Sequence, residues 1–253
     1  MQLKTICLNL WIGGILLDKI ISFLQNENAD FLLLQEVYHG QDPKLDRQFR
    51  SLSILLEQLN YPYFHFAPAF LEAESGQLIE QGNAILSKYP LEEAAVIFYD
   101  EPFGVRSNQY EYFHLTPRNL QHVMADVKGK KLHLLNTQGI WGLDGGDSER
   151  RLNMSQKIVA EVEGRQPLIL AGDFNLRPET KTIANIEKQL TNVFKDELKT
   201  SFNIKRKDLK NYPGYAEAVV DMFFVSAGVA VVKKSCPAVD ISDHLPLVVE
   251  LKI

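Results

Sequence analysis

Two short blocks bring together the residue types from which chemistry is built: Gly172-Asp173-Phe174-Asn175 and, further on, Ser242-Asp243-His244. Each sets an acid beside a polar partner at the edge of an apolar run. Pro167-Leu168-Ile169-Leu170-Ala171 leads into the first, and Leu245-Pro246-Leu247-Val248-Val249 follows the second. A third run, Phe31-Leu32-Leu33-Leu34, stops on Gln35-Glu36, and a fourth, Ile6-Cys7-Leu8, stops on Asn9. Runs this short and this apolar read as buried strands. Four strand ends then present Asn, Glu, Asp with Asn, and Asp with His. Carboxylate and amide oxygens are hard donors that suit Mg²⁺ or Mn²⁺, and an acid two residues from an amide on a strand shares its face.

The elements that position these ends follow from periodicity. Residues 3–9 and 30–35 read as strands, with Leu16, Ile20, Phe23 and Leu24 at helical spacing between them. Leu45, Phe49, Leu52, Leu56 and Leu59 make a second amphipathic helix. Short β-type runs follow near 61–67, 83–88, 94–98, 111–115, 120–127 and 131–136. Helical period returns over 148–163, with Leu152, Ser155, Ile158, Val159 and Val162 on one face, Ser148 as N-cap and Gly164 as stop. A strand at 167–171, a helix around 180–190 and strands near 219–226, 229–234 and 246–251 close the pattern. Residues 142–146 and 195–214 read as loops that border a site.

In order along the chain stand Leu8-Asn9-Leu10-Trp11, Leu34-Gln35-Glu36-Val37, Gly82-Asn83-Ala84-Ile85-Leu86-Ser87, Asn136-Thr137, Gly-Asp-Phe-Asn, Val220-Asp221-Met222-Phe223-Phe224-Val225-Ser226 and Ser242-Asp243-His244-Leu245-Pro246-Leu247. Together they resemble the endonuclease/exonuclease/phosphatase superfamily of DNase I-like proteins. The resemblance implies one α/β domain over residues 1–253, a four-layer α-β-β-α sandwich of two packed mixed sheets flanked by helices. It implies a divalent-metal-dependent phosphoesterase that hydrolyses a phosphodiester of nucleic acid, nucleotide or phospholipid type by direct attack of water. Such a reaction needs the phosphate charge neutralised, a water activated and the leaving oxygen stabilised.

Carried over position by position, Glu36 is the principal metal ligand, with Asn9 and Asp243 in the Mg²⁺ or Mn²⁺ shell. Asp173 is the base that deprotonates water, Asn175 a neutral donor to phosphate oxygens, and His244 a cation or donor whose ring Asp221 orients. Asn83, Arg118 and Arg151 are candidates for the cleft, since Arg suits forked phosphate contacts. Trp141 and Tyr38 are candidates for an apolar or stacking wall. His39, His65, His114, His122 and His133 lack comparable context and read as structural. One position departs from many members: Gln138 stands where they carry a second phosphate-binding histidine. A glutamine donates a neutral hydrogen bond but carries no charge, so the alternative is a weakly active or non-catalytic phosphate-binding member of the same fold.

Composition narrows the partners. The 32 acidic against 27 basic residues leave a net charge of −5, without the basic face that long nucleic acids require. Only Lys205-Arg206-Lys207 with Lys210 is locally basic, and it reads as a solvated loop. A small or short phosphoester substrate is therefore expected rather than long duplex DNA, and no protein partner is evident. No apolar run approaches the roughly 20 residues of a membrane span, and the opening Met1-Gln2-Leu3-Lys4-Thr5 has no signal-peptide pattern. The two cysteines, Cys7 and Cys236, are too few for a disulfide framework, and cytoplasmic residence is the default expectation.

Overall fold

Most helix periods of the sequence land on the outside of a sheet and most short apolar runs inside one. The computed structural model describes all residues except 75, 108, 208–209 and 211–214, with only the backbone of Glu74 and Tyr110. In chain order the elements are β1 (Gln2–Asn9), α1 (Leu17–Glu27), β2 (Phe31–Tyr38), α2 (Ser51–Gln58), β3 (Tyr63–Glu74), β4 (Gln77–Ser87), β5 (Leu91–Phe98), β6 (Asn119–Val127), β7 (Lys130–Gln138), α3 (Glu149–Val162), β8 (Leu168–Asp173), α4 (Lys181–Glu187), β9 (Thr191–Asn192), β10 (Asp221–Val225), β11 (Ala230–Ser235) and β12 (Leu247–Lys252).

The strands form two mixed sheets of six, ordered β11-β12-β1-β2-β4-β3 and β5-β6-β7-β8-β10-β9. Each sheet contains one parallel pair bridged by a helix: β1 and β2 through α1, β7 and β8 through α3. Parallel neighbours need such a crossover, and it places the C-terminal ends of both strands on the same edge. Between the sheets, Leu3, Cys7, Phe31 and Leu33 of the first pack with Val123, Leu134, Ile169 and Phe223 of the second, all essentially without solvent exposure. The outer face of the first sheet is covered by α1 and α2 through Ile20, Leu24, Leu52 and Leu55. That of the second is covered by α3 and α4 through Met154, Ile158, Ile183 and Ile186. The result is the four-layer sandwich.

Three local readings change. Leu45 and Phe49, expected on the second helix, precede α2, with Phe49 in a 3₁₀ turn over Arg47–Arg50. Residues Tyr110–Leu115 form a 3₁₀ helix rather than a strand, since an aromatic run without a pairing neighbour has no ladder to join. In α3 the buried positions are Arg151, Met154, Ser155, Ile158 and Val162, so the inner face is turned away from Leu152 and Val159. Ser148 caps this helix by accepting from Arg151 N at 3.3 Å, and Gly164 follows at φ +73°, as its stop position predicts. Of the loop expected over 195–214, positions 208–209 and 211–214 lie outside the described residues. No helix among the described residues is long and apolar enough to cross a membrane.

Candidate active site

The two parallel pairs deliver their ends to one place. Asn9 ends β1, Gln138 ends β7 and Asp173 ends β8, while Asp221 opens β10. Asn9 Nδ2 donates to Glu36 Oε1 and to Asp173 Oδ2, both at 3.1 Å, and so joins the sheets through one amide. Gln138 Nε2 donates to the same Glu36 oxygen at 2.8 Å, while Arg118 donates to Gln138 Oε1. Glu36, Asn9, Asp173, Gln138 and Arg118 thus form one connected chain of hydrogen bonds.

Glu36 owes its position to a bulge. The β2–β4 register jumps between Leu34 and Val37, and Glu36 sits within it at φ +57°. Bulges of this kind re-aim a side chain at the cost of a locally unpaired backbone. Trp11, Ile12 and Asn175 also adopt positive φ, at +64°, +48° and +54°, a region costly for residues other than glycine and held only where the surroundings enforce it. Here they enforce it: Ile12 N donates to Glu36 Oε2 at 2.7 Å and Gly13 N to Glu36 O at 2.9 Å. Burial alone would raise the Glu36 carboxyl, but the Ile12 amide, the Arg118 cation and the Asn9 amide hold it below the usual carboxylate range.

Asp173 and Asn175 meet, though not through the pleat of a strand. The strand ends at Asp173, and the left-handed Asn175 folds back so that its N–H donates to Asp173 Oδ1 at 3.0 Å and its Nδ2 to Asp173 Oδ2 at 3.3 Å. The pair is an Asx turn rather than an i, i+2 face. Burial drives the Asp173 carboxyl up to about 6, against the pull of His244. His244 Nδ1 lies 2.8 Å from Asp221 Oδ2. Burial by itself would depress this imidazole, yet the Asp221 and Asp243 carboxylates lift it to about 9, so it is a cation at neutral pH.

Asp243 pairs with Lys207 and stands beside His244. Its Oδ2 is 2.5 Å from Lys207 Nζ and its Oδ1 is 4.0 Å from His244 Nε2. Lys207, read from sequence as a solvated cation, instead stands over the Phe202 ring at 4.0 Å, whose edge packs on His244 with ring centres 4.7 Å apart.

The remaining candidates divide. Arg118 is buried next to Gln138, as a cleft residue should be, and its Nε has no hydrogen-bond partner. Asn83 is buried and donates to the backbone O and the Oδ1 of Asn119. Trp141 is half-buried in the segment after β7. Arg151 is not aimed at the cleft: its guanidinium is consumed by the carbonyls of Ile140, Gly146 and Asn175, which fix the 140–146 loop. Tyr38 is fully buried with Leu45, Phe49 and Ile79, its hydroxyl on Glu72, so it packs beneath the site rather than walling it. Tyr215, whose hydroxyl donates to Asn175 Oδ1 at 3.3 Å, had no sequence signal, because it approaches from a loop with no motif around it.

The donor set fits a divalent cation. Asp173 and Asp221 place carboxylate oxygens within 4.8 Å of one another beside His244, which as a cation donates rather than ligates, and Asp221 Oδ1 is buried without a partner. An acid held near 6 beside an orphaned carboxylate oxygen is a site with surplus negative charge, which a hard cation would neutralise.

The model of the endonuclease/exonuclease/phosphatase family matches residues 9–244, from the first of these residues to the last. The chain belongs to that family. Solved structures agree in fold. An endonuclease/exonuclease/phosphatase from Beutenbergia cavernae is 18% identical with a TM-score of 0.78, covering 100% of this chain and 72% of that one. The mannosyl-6-phosphatase of Bacteroides thetaiotaomicron is 18% identical with a TM-score of 0.70, covering 99% and 100%. A humanized D. rerio TDP2 is 15% identical with a TM-score of 0.67, covering 100% and 99%. No curated protein matches the chain. Family membership makes a phosphoesterase-type hydrolase fold the frame for the site, and the strand ends that carry the family match are those that converge here.

Proposed function

We propose that this family member is a divalent-metal-dependent phosphoesterase that hydrolyses a phosphodiester by direct attack of water. The observation that carries the reading is the pairing, in one buried cluster, of an acid poised near 6, Asp173, with an imidazole lifted to about 9 by Asp221 at 2.8 Å, His244. Two neighbouring groups pushed apart in this way divide into base and acid. Asp173 takes the proton of the attacking water, and Asn175 keeps its carboxylate oriented. His244, fixed by Asp221, donates to a non-bridging or leaving oxygen of the phosphate. Arg118, buried with unused donors, supplies further positive charge. Glu36 is the residue assigned to hold Mg²⁺ or Mn²⁺, with the Asn9 amide tying it to Asp173; such an ion would neutralise phosphate charge.

The non-catalytic alternative rests on Gln138, and the hydrogen bonds at that residue weigh against it. Its two ends are both used, one by Arg118 and one by Glu36, so the position relays a cation that relatives place directly. The substrate is proposed only as a phosphoester. The structural neighbours include a mannosyl-6-phosphatase and a TDP2, and fold does not choose between them.

The test is hydrolysis of a bis-aryl phosphodiester with Mg²⁺ or Mn²⁺ against chelator. Metal-dependent turnover that falls by about 10²-fold or more in Asp173→Asn, the usual contribution of a positioned base, is expected. Metal-dependent phosphate binding without turnover would establish the alternative instead.

A further inference from the structure

The second sheet carries a pair of histidines on the face that α3 covers, remote in role from the catalytic cluster. His122 lies on β6 and His133 on β7, where the register pairs His122 with Leu135 and Met124 with His133. The two rings are diagonal neighbours on one face. His122 Nε2 is 3.0 Å from His133 Nδ1, and His122 Nδ1 is 2.6 Å from Glu161 Oε1 on α3. A carboxylate only accepts, so Nδ1 of His122 holds that ring's proton and Nε2 exposes its lone pair. The short contact between rings then uses the Nδ1 proton of His133. Burial holds both imidazoles below their ordinary range, so both are neutral at physiological pH.

A carboxylate that orients one histidine whose other nitrogen faces a second histidine is the outer shell of a nitrogen-ligated metal site. At the usual metal–nitrogen length of about 2.0–2.1 Å, an ion touching two nitrogens 3.0 Å apart subtends roughly 91–97°, close to the angle of a tetragonal or octahedral centre. Around it stand Arg165, whose NH2 lies 3.3 Å from Glu161 Oε1, and Glu93. Glu93 sits at φ +49° in the β5 bulge between Glu92 and Ala95, and Ala95 pairs with His122.

We propose that His122 Nε2 and His133 Nδ1 bind a divalent transition metal of the Zn²⁺ or Ni²⁺ class, with Glu161 as the orienting carboxylate. On binding, the proton on His133 Nδ1 moves to Nε2 of the same ring, leaving that ring neutral. Mg²⁺, which prefers oxygen, is excluded by the donor type. The proposal is independent of the catalytic reading.

The experiment titrates Zn²⁺, and separately Ni²⁺, into protein already saturated with Mg²⁺, which occupies the oxygen-rich cluster. Calorimetry is combined with NMR of the histidine ring protons. Saturable binding that moves the His122 and His133 signals is expected, with Mg²⁺ alone leaving them in place. His133→Gln should abolish that site, and Glu161→Gln should weaken it by about 10–100-fold, as loss of an outer-shell carboxylate does. His133 is half-exposed, so its variant should fold. If the two histidines stay unmoved by either metal in the wild-type protein, or if His133→Gln binds as tightly as wild type, the site does not exist.

Discussion

At single residues, burial and charge compete, and the outcome sets the protonation of the site. His244 is lifted to about 9 although burial opposes it, because Asp221 lies 2.8 Å away. A histidine whose folded value is raised contributes stability that is fully present below its unfolded value near 6.5 and is lost as pH rises through about 9. In metal-free protein the ring should therefore titrate near 9 by NMR, and Asp221→Asn should bring the midpoint down. A wild-type midpoint at the ordinary value would show that the carboxylate does not hold it. Gln138 shows the same competition. From sequence, a histidine there promises a stronger donor. In the structure Gln138 both accepts from Arg118 and donates to Glu36, which a protonated imidazole cannot do, since both of its nitrogens are donors. Gln138→His should thus lower kcat by roughly tenfold, the value of about one charged hydrogen bond. A raised kcat would restore the sequence-based expectation.

At the scale of elements, the site depends on how closely β7 and β8 approach at their C-terminal ends. Gly139 N donates to Asp173 O at 2.7 Å, and Asn175 Nδ2 donates back to Gly139 O at 3.1 Å. A Cβ on Gly139 would stand 2.1 Å from the carbonyl oxygen of Phe174, which is backbone and has no rotamer with which to yield. Gly139→Ala is expected to cost about 1–3 kcal/mol, as overpacking does, and to depress turnover by displacing Asp173 and Asn175. Gly104→Ala, whose nearest neighbour would be 3.9 Å away, should leave denaturant midpoint and rate unchanged. Equal effects in both variants would sink the argument. Strand ends, helices and most side chains of the candidate site were legible because apolar period and residue type are local properties. The Glu36 bulge, the left-handed turn at Asn175 and the inward aim of Arg151 were not. The bulge and the aim of Arg151 are decided by partners distant in sequence, the Ile12 N–H and the loop carbonyls of Ile140 and Asn175, and the turn at Asn175 by a side-chain bond to Asp173 that the apolar pattern does not report.

Across the whole molecule, the two sheets are held in register by a polar seam inside an otherwise apolar interface. Beside the bulge in β2, Asn136 of the facing sheet reaches across to the carbonyls of the last registered β2–β4 pair, Leu34 and Ala84. Its Nδ2 donates to Leu34 O at 2.9 Å, to Ala84 O at 3.2 Å and to Gln121 Oε1 at 3.1 Å, while its Oδ1 accepts from Gln35 Nε2 at 2.6 Å. One side chain thereby ties the sheets beside the bulge that aims Glu36 and fixes the offset at which Glu36 of one sheet meets Gln138 and Asp173 of the other. From sequence, Asn136-Thr137 stood out only as part of a family pattern, since nothing local says that an amide in a strand reaches across a core. Truncating it leaves several buried acceptors and a buried amide unsatisfied, at about 1–3 kcal/mol for each group left bare. Asn136→Ala should therefore destabilise by several kcal/mol in denaturant unfolding. Even under conditions where it stays folded, its turnover should drop together with metal affinity, because Glu36 loses its register. If the variant is destabilised yet turns over and binds Mg²⁺ like the wild-type protein, the seam holds the sheets together without positioning the site.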